Sequence, residues 1–209
     1  METLVPNQEF TRLASDEQIA QTVQALEAHG IRAVVAQTGE EARAQVLDLI
    51  PSEAEVYNSP SRTLELLGLD ADIEHATRFQ SVRARLHSLD RMTQQQEIRR
   101  LIASPDVLVG SVHAITEQGQ ILIASAVGSQ LGPAAAGARS VVWVVGTQKL
   151  VHTLDEGFRR VQEYSYPLED ARTRQVYGQG SRMNKLLIVN GEHLPGRITI
   201  ILVKQNLGF

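Results

Sequence analysis

The sequence contains no cysteine among its 209 residues. The chain therefore can form neither a disulfide nor a thiolate-ligated iron–sulfur cluster, and it offers no thiol nucleophile. No apolar run approaches the ~20 residues needed to span a bilayer, and the segment from Met1 to Phe10 lacks the basic start and apolar core of a secretory signal. These absences predict a cytoplasmic protein without membrane segments. Because the chain has no cysteine, any redox centre that it works with should belong to a partner.

Charge is also limited. Charged residues make up 21% of the chain, and the formal net charge is −4. Without a global basic field, nucleic acid is not an expected partner, although a local cluster could still bind a small anion. Apolar residues make up 43% of the chain, enough for one substantial core at this length. We therefore expect a single domain over residues 1–209.

The first half of the chain alternates between helical and strand-like patterns. Ser15 and Gln18 have the spacing of a capping box, which predicts a helix over residues 16–29. A short β-branched run at residues 31–36 and a helical stretch at residues 40–50 follow. A further strand is expected at 56–58 and a helix up to Gly68, and we interpret the arginines between Asp70 and Met92 as a solvated helix face.

The second half is dominated by short, continuous apolar runs, which are typical of strands buried on both faces of a sheet. They lie at residues 107–109, 121–123 and 141–145, and two more strands, 185–189 and 197–203, are expected near the end of the chain. A helix is predicted from Thr153 to about Tyr164. Strands that alternate with helices favour a three-layer α/β/α sandwich with a mostly parallel central sheet.

Three loops follow the predicted buried strands and are rich in small and hydroxyl residues: 110–117, 125–133 and 146–149. Ligands of open α/β sheets collect where parallel strands end, so we expect these loops to lie at one edge and line a shared pocket. The candidate substrate-binding residues are Ser111, His113, Thr116, Ser125, Gly128, Ser129, Gln130, Gly132, Lys149 and Arg182.

The loop from Gly128 to Gly132 leads into the small-residue stretch 134–137. If that stretch is a short helix, its free amide groups would favour phosphate or carboxylate. The loop matches neither the Walker A pattern nor the dinucleotide fingerprint, and the alternative is a tight turn that permits close packing. Lys149 and Arg182 could add positive charge, or they could simply face water.

Glu117 is the candidate catalytic residue, because with Thr116 and His113 it could perform general acid–base chemistry if the three converge. The alternative for His113 is a hydrogen-bonded structural histidine. The Gly-rich crossing at residues 177–181 lies among several arginines and could be a lid or an ordinary connection. No metal-ligand spacing stands out among the six histidines, so no metal site is predicted.

Three segments carry a family resemblance: DVLVGSVHAITEQGQILIAS at 106–125, VVWVVGTQKLV at 141–151 and PGRITIILV at 195–203, together with Gly208-Phe209. They resemble the LUD domain family, a former domain of unknown function. The resemblance extends more loosely back to about Ile19 and covers most of the chain. Many relatives have Gly-Val-Asn-Lys where this chain has Gly-Thr-Gln-Lys at 146–149.

The resemblance implies a fold like that of the glucosamine-6-phosphate deaminase, ribose-5-phosphate isomerase and coenzyme A transferase group. Some members belong to a three-protein system that oxidises lactate to pyruvate, in which the other two proteins carry the iron–sulfur chemistry. The chain is then expected to be a non-redox accessory subunit or factor that binds a small anion beside such partners. The alternative is a stand-alone enzyme acting on a phosphosugar or acyl-coenzyme A substrate, and fold alone does not choose between them.

Overall fold

The structure is a computed structural model that describes residues 4–209. The first residues of the segment examined for a secretory signal therefore lie outside the described residues. The helices are α1 (Asp16–Ala28), α2 (Gly39–Leu49), α3 (Arg62–Leu67), α4 (Leu69–His75), α5 (Val82–His87), α6 (Gln95–Ala103), α7 (Leu154–Arg160) and α8 (Tyr166–Tyr177). Within residues 4–209, none of them is both long enough and apolar enough to cross a membrane.

The strands form two sheets. They are β1 (Arg32–Ala36), β2 (Glu55–Asn58), β3 (Gln80–Ser81), β4 (Val107–Gly110), β5 (Ala114–Thr116), β6 (Ile121–Ser125), β7 (Ser140–Gly146), β8 (Leu150–Val151), β9 (Lys185–Val189) and β10 (Ile198–Val203). The larger sheet has six strands in the order β1-β10-β7-β4-β2-β3, and every neighbouring pair in it is parallel.

Side-chain caps explain where the main helices begin. The Ser15 hydroxyl accepts a hydrogen bond from the Gln18 amide at 3.2 Å, as the capping-box pattern predicts. Thr38 and Thr153 cap α2 and α7 in the same way. The predicted bounds of the first two helices are confirmed to within one residue.

The central sheet is buried on both faces, which confirms the expected three-layer α/β arrangement. One face packs against α1 and part of a second sheet through residues such as Leu26, Trp143 and Ile200. The other face packs against α2, α3 and α4. Burial on both sides explains why these strands are continuous apolar runs rather than alternating ones.

We had expected the run at 121–123 to be a strand of the central sheet, but it is not. It belongs to β6, which lies in a four-stranded sheet of order β8-β5-β6-β9 and is antiparallel to both of its neighbours. One face of this second sheet joins the main core, and the other is covered by Leu154 and Phe158 of α7. A short apolar run indicates burial on both faces, but it does not reveal which sheet provides the neighbours.

The predicted helix end near Tyr164 is also wrong. After α7 the chain continues through a π-helical turn, Val161–Ser165, directly into α8. Pro167, which has no N–H to donate, comes directly after this π-helical turn, where the continuous helix changes its hydrogen-bond pattern. The polar segment after Tyr164 is thus largely helical, and its arginines pair with acids one turn away, as Arg172 does with Glu169 at 2.7 Å.

The arginines between Asp70 and Met92 include structural ion pairs rather than an entirely solvated face. Arg83 of α5 lies 3.3 Å from Asp70 and 3.2 Å from Glu74, both on α4. Arg85 pairs with Glu55 of β2. These contacts hold α5 against α4 and against β2 of the central sheet.

Candidate functional site

Parallel pairing places the carboxyl ends of β2, β4, β7 and β10 at one edge of the central sheet. The segments that follow these strands converge there, as their hydrogen bonds show. Lys149 Nζ, just after β7, lies 3.1 Å from Ser111 Oγ, just after β4. It also lies 3.0 Å from Thr63 Oγ1 in α3, the helix that follows β2. This convergence is the expected one for the loops 110–117 and 146–149.

Lys149 is the central residue of this edge. It is only 1% exposed, and its third partner is the backbone oxygen of Phe209 at 3.3 Å. No Asp or Glu side chain is among its partners in the described part of the chain. Burial, assisted by the positive charge of Arg160, holds the pKa of Lys149 well below its usual value. The alternative that Lys149 is a solvated surface lysine is excluded by its burial.

Arg160 of α7 is a second buried cation in the same region. Its guanidinium donates to the backbone oxygens of Gln148 and His113 and to Ser165 Oγ. Burial lowers the pKa of Arg160 to about 10, so the group still carries its charge at neutral pH. Its Nη2 is buried and has no hydrogen-bond partner among the described residues. A buried guanidinium N–H without an acceptor lowers the stability of the fold. A negatively charged or carbonyl oxygen would therefore be a favourable partner for this group.

Within residues 4–209, three of the other four buried polar atoms without partners lie at the same edge: Asn58 Oδ1, Thr147 Oγ1 and Gln148 Oε1. The fourth, Gln45 Oε1, is in α2. Buried polar groups in folded proteins are nearly always hydrogen-bonded, and exceptions collect where function requires them. Asn58 ends β2, whereas Thr147 and Gln148 follow β7. The edge therefore has unused hydrogen-bond donors and acceptors beside two buried basic side chains.

The segment 204–209 covers this edge after β10. Thr63 Oγ1 donates to Leu207 O at 3.1 Å, and Gln148 Nε2 donates to Leu207 O at 3.0 Å and to Gly208 O at 3.2 Å. Gly208 has φ +63° and approaches Thr63 so closely that a Cβ there would lie 2.5 Å from its hydroxyl. Three side-chain donors, those of Thr63, Gln148 and Lys149, therefore point at carbonyl oxygens of residues 207–209.

His113 lies beside the two cations but does not form the predicted acid–base set. Its Nδ1 accepts a hydrogen bond from the Ala124 amide at 3.1 Å. Burial, together with Lys149 and Arg160, lowers its pKa to about 3, so the ring is neutral. Glu117, which follows β5, instead contacts His152 Nδ1 at 2.6 Å. The predicted partner of Glu117 was His113, and the structure does not bring the two together.

Thr116 has a local role, because its hydroxyl accepts from the Gln120 amide at 3.1 Å in the turn between β5 and β6. Arg182 is exposed in the connection that precedes β9. Their assignment to a ligand site stays a prediction.

The loop 125–133 is held mainly by its own polar groups. Ser125 Oγ accepts from the Gly128 amide at 2.8 Å and contacts Gln130 Oε1 at 3.1 Å. The Ser129 side chain reaches the phenol of Tyr57 in β2. These contacts favour the tight-turn alternative for this loop.

The expected short helix after Gly132 is a five-residue π-helical turn, Pro133–Gly137. Arg197, directly before β10, donates to the backbone oxygens of Pro133 and Ala134 at 3.2 and 3.0 Å. Since Arg197 precedes the first residue of β10, this turn lies at the amino edge, opposite Lys149. The turn does not contribute amide donors to the edge that holds the buried lysine.

Sequence reasoning missed Arg160, Gln148, Thr63 and the segment 204–209. Arg160 stands beside Arg159 in a helix, and the pattern does not reveal that Arg159 pairs with exposed Glu163 while Arg160 is buried. The involvement of Thr63 depends on α3 folding back over β7. No local sequence pattern predicts such tertiary contacts.

Comparison with known proteins identifies the fold. The profile of the LUD domain family matches residues 19–203, which include all ten strands. A crystal structure of a DUF162 family protein from Deinococcus radiodurans is similar, with a TM-score of 0.54, 14% sequence identity, and coverage of 92% of this chain and 99% of that one. At that identity the likeness concerns the fold alone. No curated protein matches. The expected relation to the deaminase, isomerase and coenzyme A transferase group stays a prediction.

Proposed function

The chain belongs to the LUD domain family, and from this membership we propose that it is a non-redox accessory subunit or factor in the utilization of lactate or a related organic acid. Its task in such a system is to bind a small organic anion at the carboxyl edge of the central sheet. The ligand site is formed by the residues around Lys149 and Arg160. The absence of cysteine supports a division of labour in which iron–sulfur chemistry belongs to partner proteins.

The observation that carries this proposal is a pair of buried cations without an acidic side-chain partner in the described residues, Lys149 and Arg160. Burying the charged guanidinium of Arg160 without an acidic partner costs several kcal/mol, and protonation of Lys149 nearby adds repulsion. A bound carboxylate or phosphate would relieve both costs. It would also supply acceptors for the unpaired Nη2 of Arg160 and for the amine.

Carboxylic acids fit the edge better than bulky ligands do. Lys149 is almost fully buried, and only Ser111 and Phe209 among its partners are partly exposed. A ligand therefore has to approach the amine from the side of Ser111 and Phe209, and the number of donors near it is small. A molecule with one carboxylate and one further oxygen matches this arrangement.

Titration calorimetry tests the proposal with lactate, pyruvate, inorganic phosphate and an acyl-coenzyme A. We expect at least one small carboxylate to bind the wild-type protein. Lys149→Met should weaken that binding by roughly tenfold or more, which corresponds to a lost charge-assisted hydrogen bond of about 1.5–3 kcal/mol. The matched control is Lys185→Met, because Lys185 is exposed at the start of β9.

Two results would count against the proposal. If no small anion binds the wild-type protein, the ligand site does not exist. If only phosphate or the acyl-coenzyme A binds, the site belongs to a different class of substrate. The partner role is tested separately by isolating the native protein and measuring iron and acid-labile sulfide in what accompanies it.

A further inference from the structure

The strand β9 forms one edge of the second sheet. In the order β8-β5-β6-β9, its only strand neighbour among the described residues is β6. Lys149 directly precedes β8, which is the opposite edge strand, so the edge at β9 is separate from the proposed anion site. An edge strand presents unpaired backbone N–H and C=O groups, and such a row is a template for pairing with another chain. The proposed function makes no use of this edge.

The register identifies which backbone groups of β9 face outward. Leu122 O accepts from the His113 amide, and the Ala124 amide donates to His113 Nδ1, so both β6 residues direct these groups toward the β5 side. Ile188 and Leu186 lie directly opposite these two residues. In an antiparallel pair, opposed residues point their backbone groups either toward each other or both away. Leu186 and Ile188 therefore present their N–H and C=O groups to the outside of the sheet.

An apolar groove of about 230 Å³ lies beside this edge. It is lined by Phe158 and Val161, from α7 and the turn after it, and by Met183 and Leu186, which are 37% and 39% exposed. Ile188 packs in the same cluster as Phe158, so the side chains of Leu186 and Ile188 point to the α7 face of the sheet. A strand added outside β9 would place every second side chain on this face, next to the groove.

The charges at the groove indicate the kind of segment that fits it. Lys185 lines the groove and Arg182 precedes it by three residues; both are exposed, and within residues 4–209 neither pairs with an acidic side chain. The groove lining contains no Asp or Glu. A second copy of this chain would not supply one, because residues 178–189 contain no acidic residue and would bring their own cations to the contact. Charge complementarity therefore favours a different partner, one that carries a carboxylate.

We propose that the free edge of β9 binds an extended, acidic-ended segment of a partner protein by strand addition. The segment hydrogen-bonds to the outward backbone groups of Leu186 and Ile188. Apolar side chains at every second position enter the groove, and a carboxylate at the end of the segment pairs with Lys185. In this mode of recognition the main chain supplies affinity and pockets for alternate side chains supply specificity. A ligand at Lys149 is not required for the contact.

A synthetic peptide tests this contact. The probe is fluorescein-labelled Glu-Leu-Thr-Leu-Thr-Leu-Glu with blocked ends, which offers alternating apolar side chains and a carboxylate at Lys185 in either strand direction. Fluorescence anisotropy should show saturable binding to the full chain. The matched peptide with both Glu replaced by Lys should bind at least about threefold more weakly, because Lys185 and Arg182 repel it.

Variants of the chain separate the charge from the backbone contribution. Lys185→Glu should weaken binding of the Glu peptide about three- to tenfold and strengthen binding of the Lys peptide. The control is Lys204→Glu, the same change at a lysine that pairs with Asp16 of α1, and it should alter neither affinity. Leu186→Pro removes an outward N–H without removing a bond to β6, and an edge strand tolerates proline at such a position. It should weaken binding of the Glu peptide about tenfold.

Amide hydrogen exchange followed by NMR locates the contact in the wild-type protein. In the free protein, the amides of Leu187 and Val189 should be protected by β6, whereas those of Leu186 and Ile188 should exchange faster. Saturating Glu peptide should slow exchange at Leu186 and Ile188 by about tenfold or more and change Leu187 little. This alternating pattern does not depend on any variant folding.

Several results would overturn the proposal. Absence of binding up to about 1 mM Glu peptide is one, because the affinity would then be negligible. Equal affinity for the Glu and Lys peptides is another, as is protection that appears elsewhere than at Leu186 and Ile188. Sedimentation of the peptide-free protein as a dimer that Leu186→Pro converts to a monomer would assign the edge to a second copy instead. Binding of lactate is unaffected by any of these outcomes, so the two proposals fail separately.

Discussion

Lys149 Nζ lies 3.1 Å from Ser111 Oγ, so a single hydrogen bond joins the ends of the neighbouring strands β7 and β4. The same amine touches Thr63 and the backbone of Phe209. Lys149 therefore connects four parts of the chain, while burial opposes its own charge.

Replacing Lys149 by methionine should cost little stability at pH 7. The pKa of Lys149 is lower in the folded protein than in the unfolded chain. Below the ordinary lysine pKa of about 10.5, the unfolded chain therefore binds more protons, and wild-type stability falls as the pH decreases. Lys149→Met lacks this penalty. Urea unfolding at pH 7 and pH 10 should show the variant gaining relative to the wild type at the lower pH.

Lys185→Met is the control for this measurement and should show no such difference between the two pH values. A loss of more than about 2 kcal/mol in Lys149→Met at pH 7 would contradict the argument, because it would mean that the native amine is charged and compensated.

Gly146→Ala should destabilise the protein by about 1–3 kcal/mol, the range of overpacked sites. A Cβ at Gly146 would lie 2.6 Å from Gln205 O and 2.8 Å from Leu207 N, so segment 204–209 would have to move away from β7. Gly132→Ala is the matched control, because nothing lies within 4 Å of its Cβ position and its φ of −61° suits alanine. Thermal unfolding of both variants checks this, and equal melting temperatures would refute the close approach.

His113 should make the protein less stable in mild acid. Its folded pKa of about 3 lies below the ordinary value of 6.5, so the unfolded state binds the extra proton between these limits. Stability present above pH 6.5 is then lost as pH falls toward 3, with a slope of up to about 1.4 kcal/mol per pH unit.

His113→Gln can still accept from the Ala124 amide but does not titrate, so its free energy of unfolding should vary less over this pH interval. His193→Gln, at an exposed histidine, is the control. Identical pH profiles for wild type and His113→Gln would show that the ring is already accessible to protons in the folded state.

Local patterns were sufficient for much of the fold. Ser15 predicts a helix because capping depends on residues within one turn, and the apolar runs of β4 and β7 predict burial on both faces. The run at 121–123 was assigned to the wrong sheet because its antiparallel partner, β9, lies more than sixty residues further along the chain.

The site was only partly predictable for the same reason. The rule that ligands collect at strand ends selected Ser111 and Lys149, which do meet. The burial of Lys149, however, arises from Thr63 and Phe209, both distant in sequence, and the charge near it comes from Arg160 in a helix. Such properties depend on tertiary contacts, so residue spacing does not reveal whether a lysine is solvated or enclosed.

Binding of lactate should draw a proton into the protein at pH 7. The carboxylic acid of lactate is already ionised at that pH, so it releases no proton of its own on binding. A carboxylate beside Lys149 stabilises the ammonium form and raises its pKa, which is depressed in the free protein. The bound state should therefore carry more protons than the free state.

Calorimetry in buffers of different ionisation enthalpy measures this number as the slope of the observed binding enthalpy. We expect a slope that indicates proton uptake for the wild type and a slope near zero for any residual binding by Lys149→Met. Two other basic groups lie beside the site. Arg160, with a pKa of about 10, is already protonated at pH 7, and the pKa of His113, about 3, is too low to supply the effect, so His113→Gln should keep the wild-type slope. Because a proton enters with the anion, affinity should also weaken by up to about tenfold for each unit of rising pH. A wild-type slope near zero, with lactate bound, would contradict the prediction, because it would mean that the protonation of Lys149 does not change when the anion binds.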